Sequence, residues 1–142
     1  MTLSALSLAM GRDMQLALRQ LAFISPRKIL LQGKGPHFCV GANPYLGAQA
    51  VARSIAGSVA IVNETIVGFF ALRALASPIV AAVHGTLVGG AIAVCLSADV
   101  VVASEDATFQ HGNLPRGVCP VGTYWRSLMT AVWAVPVLPA ST

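Results

Sequence analysis

From Ala74 to Ala98 the chain carries no charged residue, and the way that run is punctuated limits the fold more than any other feature. Pro78 opens a β-branched, apolar stretch, Ile79-Val80-Ala81-Ala82-Val83, which predicts a buried strand. Gly85 marks a tight turn after it. The pair Gly89-Gly90 then opens a helix of small residues, and a second apolar strand runs from Val100 to Ala103. Strand, helix and strand in succession imply a right-handed crossover between parallel strands. A glycine pair at a helix start leaves backbone N–H groups uncovered, where an anion or a developing oxyanion can sit.

The rest of the chain extends this alternation. Leu6, Met10, Met14, Leu18 and Leu21 recur at helical spacing and predict an amphipathic first helix that Pro26 ends. Arg27 to Gln32 reads as a strand, and the Gly/Pro-rich segment from Gly33 to Gly47 as a loop. Val51, Ile55, Val59, Val62, Ile66 and Phe69 continue a helical period to about Leu75. A short strand is expected at Thr108-Phe109. The fold class is α/β.

Composition bears on two alternatives. The chain is 56% hydrophobic and 10% charged, and the run from Ala74 to Ala98 is long enough to span a bilayer, so a small membrane protein is one alternative. Pro78, Gly85, Gly89, Gly90 and the polar Ser77, His84 and Ser97 interrupt that run. Parallel strands buried on both faces are also continuous apolar runs. The net charge of +4 is nine scattered Lys and Arg against five Asp and Glu, which argues against nucleic-acid binding, since that needs a concentrated patch. Cys39, Cys95 and Cys119 have no metal-ligand spacing, so no metal is expected, and they suit a reducing compartment. The first residues lack a charged leader. The expected location is the cytoplasm, or an organelle if a targeting segment preceded this start.

Four blocks, in order, carry a resemblance. They are Lys28-Ile29-Leu30-Leu31-Gln32-Gly33 with His37-Phe38-Cys39-Val40-Gly41-Ala42-Asn43; the segment from Ser77 to Ser104; Ala107-Thr108-Phe109; and Gly117-Val118-Cys119-Pro120-Val121-Gly122. Together the chain resembles the crotonase superfamily, the enoyl-CoA hydratase/isomerase relatives, over most of positions 5 to 128. The resemblance implies a spiral of ββα units, here incomplete at both ends. Residues 1–128 are then a partial crotonase-like domain, and 129–142, with Pro136 and Pro139, a non-native or unstructured tail. The family assembles as trimers or hexamers through C-terminal helices, and that assembly is not expected of this chain.

The same resemblance implies chemistry on an acyl thioester carried by CoA or an acyl-carrier protein. Coenzyme A enters as part of the substrate, with no separate cofactor. The enolate oxygen of such a thioester can be held by two preorganised N–H donors, and the resemblance places them at the backbone of Ala42 and Gly90, with Gly41, Gly89 and Asn113 lining the substrate. Hydration also needs an acid and a base. The family's two hydratase glutamates fall here on Ala93 and Asn113, neither of which moves a proton, so hydration is not expected. His111 and Tyr45 are candidate replacements, for decarboxylation or isomerisation. Asp99 is read as structural, and Glu105 and Asp106 as an exposed turn. The opposing reading is a non-catalytic homologue or a gene-model fragment with no activity.

Overall fold

The computed structural model describes residues 5–42, 54, 64, 65 and 67–111. The first helix, α1 (Leu8–Ile24), starts where Ser7 caps it: the Ser7 Oγ accepts the Met10 N–H at 3.2 Å. Ser25 ends it in the left-handed conformation, with its N–H on the Leu21 carbonyl at 2.8 Å, and Pro26 follows. Leu6, expected inside the helix, lies before the cap. Its N–H donates to the Gly41 carbonyl at 2.7 Å, and it pairs with Ala42 as an isolated parallel bridge. The i, i+4 spacing to Met10 is shared by a helix and by a residue that reaches the same core from the preceding turn.

Among the described residues, five strands form two parallel sheets. They are β1 (Ile29–Gln32), β2 (Ile79–Val83), β3 (Thr86–Val88), β4 (Val100–Ala103) and β5 (Thr108–Gln110). The first sheet has the order β1-β2-β4, with Ile29 beside Ile79 and Val80 beside Val100; the second pairs β3 with β5, Thr86 beside Thr108. The segment 79–88 therefore belongs to both sheets and changes from one to the other at Gly85, whose φ is +57°. A side chain there would run into the Pro36 carbonyl. Strand β3 was not expected from the sequence; the turn at Gly85 and the helix at Gly90 were.

Helix α3 (Gly90–Cys95) buries Ala91 through Cys95. With Leu72, Ala81 and Leu87 they form the centre of the core, where Ala81, Leu87 and Cys95 have no exposed surface. Asp99 follows α3 and pins β4 to β2 by two reciprocal bonds. Its N–H donates to the Ile79 carbonyl at 2.9 Å, and its Oδ2 accepts the Ile79 N–H at 2.7 Å. The structural role read for Asp99 holds, and Glu105 and Asp106 lie exposed in the turn before β5.

A second helix, α2, is described at residues 64, 65 and 67–70 and passes into a 3-10 turn, Ala71–Ala74. It crosses α1 at backbone contact. A Cβ on Gly11 would lie 2.8 Å from the Thr65 Cα, and one on Gly68 would strike the Gly11 carbonyl. Glu64 accepts from Arg12 Nε at 2.6 Å across the exposed rim of this crossing. The uncharged run that suggested a membrane span is divided among β2, β3 and α3, and no helix among the described residues is long and apolar enough to cross a membrane. The boundary at residue 128 and the tail beyond it lie outside the described residues.

Candidate active site

The loop after β1 is laid along β3. Phe38 N–H donates to the His84 carbonyl at 2.9 Å, Cys39 N–H to the Thr86 carbonyl at 3.4 Å, and Val88 N–H to the Cys39 carbonyl at 3.1 Å. Cys39 and Leu87 thereby pair in parallel. The chain then turns at Gly41, with φ +84°, against the Val88 carbonyl; an added Cβ would sit 2.6 Å from that oxygen. Only glycine takes this conformation at that approach without strain. The loop brings Cys39 into the core, where burial pushes its thiol pKa up, an inert state for a cysteine.

Across from it, β3 ends at Val88 and Gly89 caps α3 with φ 56° and ψ −119°. The Gly89 N–H donates to the Gln110 carbonyl at 2.9 Å, and the Gly89 carbonyl accepts from Ile92 N at 3.0 Å. Gly90 is the first helical residue, a position whose N–H has no acceptor within its own helix. Leu6 ties the two sides together. Its N–H holds the Gly41 carbonyl, and its Cδ1 lies 3.5 Å from where a Gly90 Cβ would be. The residue pairs Gly41-Ala42 and Gly89-Gly90, distant in sequence, thus meet around Val88 and Leu6.

Of the other residues singled out in the sequence, His111 comes close through its neighbour. Gln110, which accepts the Gly89 N–H, immediately precedes it, and the His111 ring is half-buried. Ala93 is buried in the middle of α3, with its carbonyl accepting from Ser97 Oγ at 2.9 Å. Tyr45 and Asn113 lie outside the described residues. Two contributors escaped the sequence reading: Leu6, for which Ser7 as a helix cap was the available signal, and His37, whose imidazole Nδ1 accepts the Thr86 N–H at 3.1 Å. Nothing local in the sequence marks that second bond.

A family profile described as enoyl-CoA hydratase/isomerase matches residues 2–132. The chain belongs to that family. A probable enoyl-CoA hydratase of Mycobacterium leprae is 27% identical over 124 residues, covering 82% of this chain and 41% of the relative. A (7aS)-7a-methyl-1,5-dioxo-2,3,5,6,7,7a-hexahydro-1H-indene-carboxyl-CoA hydrolase of Mycobacterium tuberculosis is 34% identical over 106 residues, covering 72% of this chain and 41% of the relative. The chain thus spans about two-fifths of the length of these curated relatives. An enoyl-CoA hydratase structure from Polaromonas sp. JS666 superposes with a TM-score of 0.81 at 23% identity, over 91% of this chain and 51% of that one. That likeness shows the crotonase-type fold. The α/β class and the family expected from the four sequence blocks are both found.

Proposed function

We propose that this enoyl-CoA hydratase/isomerase family chain holds an acyl thioester by its carbonyl oxygen, between the N–H groups of Ala42 and Gly90, and stabilises an enolate there without hydrating a double bond. The observation that supports this reading is the seating of Gly41, the neighbour of Ala42, on the carbonyl of Val88, two residues before Gly90. Gly41 and Gly89 supply the close backbone approach that a pantetheine-linked acyl group requires. The short helix adds a partial positive charge at Gly90. Coenzyme A or an acyl-carrier protein arrives as part of the substrate, with no further cofactor in the scheme. His111, next to the Gly89 acceptor, is the proton carrier of this proposal; Tyr45 and Asn113 are further candidates that the family resemblance alone supplies. Ala93 stands where the family's first hydratase glutamate is expected and offers no proton. A relative whose name is that of a CoA-ester hydrolase fits a family reaction other than hydration.

The test separates the donor from the helix. Gly90→Pro removes one N–H at the first helical position, where proline is tolerated. Gly90→Ala keeps the N–H. In deuterated water, exchange of the α-protons of an acyl-CoA reports the enolate directly. Losing one such donor costs about 2.7–4 kcal/mol, so Gly90→Pro should slow exchange by roughly two to three orders of magnitude, while Gly90→Ala retains it. Equal rates in the two variants remove Gly90 from the site. Thioester binding with no exchange in any form leaves the non-catalytic reading. Hydration of crotonyl-CoA at enzyme-like rates, on the order of 1–10³ per second, would show that the assignment of Ala93 is wrong.

A further inference from the structure

The pairing of the loop with β3 contains a substitution. Val88 N–H goes to the Cys39 carbonyl and the Cys39 N–H to the Thr86 carbonyl. A parallel ladder continued by the same rule would send the Thr86 N–H to the His37 carbonyl. It goes instead to the His37 side chain, at Nδ1, 3.1 Å away. The imidazole thus completes, from a side chain, the rung next to the turn at Gly85. The main chain at this point is crowded. Gly33 is pressed against the backbone of His37 and Phe38, and Gly85 against the Pro36 carbonyl and the His37 ring, Nδ1 lying 2.9 Å from its Cβ position.

The bond fixes a protonation state. The Thr86 N–H is a donor, so Nδ1 must carry a lone pair, and the proton of this neutral ring sits on Nε2. A second imidazole on the same corner behaves differently. His84 Nε2 bonds the Gly35 carbonyl at 2.8 Å, and an Nε2–H donates there whether the ring is neutral or charged. One histidine therefore tolerates a proton and the other loses its rung to it.

We infer that His37 is a positioning residue: its neutral ring holds the loop that presents Ala42 in register with β3, and protonation of that ring releases the register. An imidazole is the side chain that changes charge between about pH 5 and 8. Among the described residues, the other titratable groups on the elements packed at this corner are His84, Lys34 in the loop, Cys39 on the pairing itself, and Glu105 and Asp106 in the turn before β5. Cys39, held up by burial, stays a thiol across that range. The path to the site is short. Phe38 and Cys39 follow His37 directly, and Gly41 then turns against Val88 at the far end of the same pairing.

The inference rests on the reading of Ala42 proposed above, so its test has an arm that needs no ligand. Amide exchange at Thr86, Cys39 and Val88 is followed in the full chain at about pH 8 and pH 5, with Ser104, which bonds the Val83 carbonyl, as an internal reference. Asparagine places an untitratable acceptor close to the position of Nδ1. In the wild type, Thr86 protection relative to Ser104 should fall by about tenfold or more on acidification. His37→Asn should hold it at both pH values, His37→Ala should lack it at both, and His84→Gln should follow the wild type. Acyl-CoA affinity should track the same four profiles. Unchanged Thr86 protection in acid, or a His37→Asn profile like the wild type's, overturns the inference. Loss of Thr86 protection with pH-independent thioester binding overturns the link to Ala42. Absence of thioester binding at every pH, with the exchange pattern intact, overturns the oxyanion reading and leaves His37 as the loop's holder.

Discussion

Two glycines of the site should respond to the same added methyl group in opposite directions. At Gly41 the φ of +84° costs an alanine about 1–2 kcal/mol. Its Cβ would lie 2.6 Å from the Val88 oxygen and 3.3 Å from the Val88 carbonyl carbon. Both are backbone atoms of β3 and cannot rotate away, so overpacking adds about 1–3 kcal/mol. Gly41→Ala is therefore expected to destabilise by roughly 2–5 kcal/mol. At Gly90, among the described residues, a Cβ meets only the Leu6 Cδ1, at 3.5 Å, an ordinary contact. There the loss of unfolded-state freedom favours alanine by about 0.4–1 kcal/mol. Urea unfolding of the full chain, read as midpoint shifts at constant slope, compares the two. Under the proposed function an acyl-CoA titration should show the same order, because displacing Gly41 displaces Ala42 while Gly90→Ala moves neither proposed donor. If Gly41→Ala proves as stable as Gly90→Ala, the loop does not approach Val88 this closely, and the proposed pairing of the Ala42 and Gly90 donors falls with it.

Other parts of the fold give separate checks. Complete burial pushes the Cys95 thiol up to about 12, so the folded state binds its proton more tightly than the unfolded chain. This contribution is whole below about pH 9 and is lost as pH rises toward 12, up to about 4 kcal/mol in all. Cys95→Ala should flatten the alkaline limb of a stability–pH curve, and an unchanged limb would rule out the buried thiol as its source. Asp99→Ala removes the acceptor of the Ile79 N–H at the start of β2 and β4, an expected loss of about 1–2 kcal/mol in the same unfolding assay. Gly11→Ala sets a methyl group 2.8 Å from the Thr65 backbone, and clash should outweigh the helix preference of alanine. A rise in melting temperature would show that the two helices stand further apart.

Strands β2 and β4 were legible because Ile79–Val83 and Val100–Ala103 are apolar, β-branched runs with a proline, a histidine–glycine corner and an aspartate at their ends. The glycines at 41, 89 and 90 were legible as a pattern, since close backbone approach leaves a composition trace. Strand β3 left none. Three residues between Gly85 and Gly89 are too few to show a period, and what makes Thr86–Val88 a strand is its partners, Cys39 on one side and Thr108–Gln110 on the other. His37 was invisible for the same reason, its bond joining residues 49 positions apart. Leu6 falls outside the helix its spacing predicts because hydrophobic spacing records which side chains reach the core and is silent on whether the backbone has yet become helical.

The change of sheet at Gly85 also bears on the order in which this chain can fold. On one side of that corner β2 pairs with β4, Val80 beside Val100; on the other β3 pairs with β5, Thr86 beside Thr108. Both pairings close loops of about twenty residues, and both loops lie within the single stretch 79–110. Strand β1 must cross about fifty residues to place Ile29 beside Ile79. The difference in closure entropy is small, below about 1 kcal/mol, but the nearer pairings need no other part of the chain. Residues 79–110 therefore form the natural nucleus, and β1, with the loop that bears Ala42, docks afterwards onto strands already set. The donor proposed at Gly90 is then in place early, and the one proposed at Ala42 arrives with the later docking of β1.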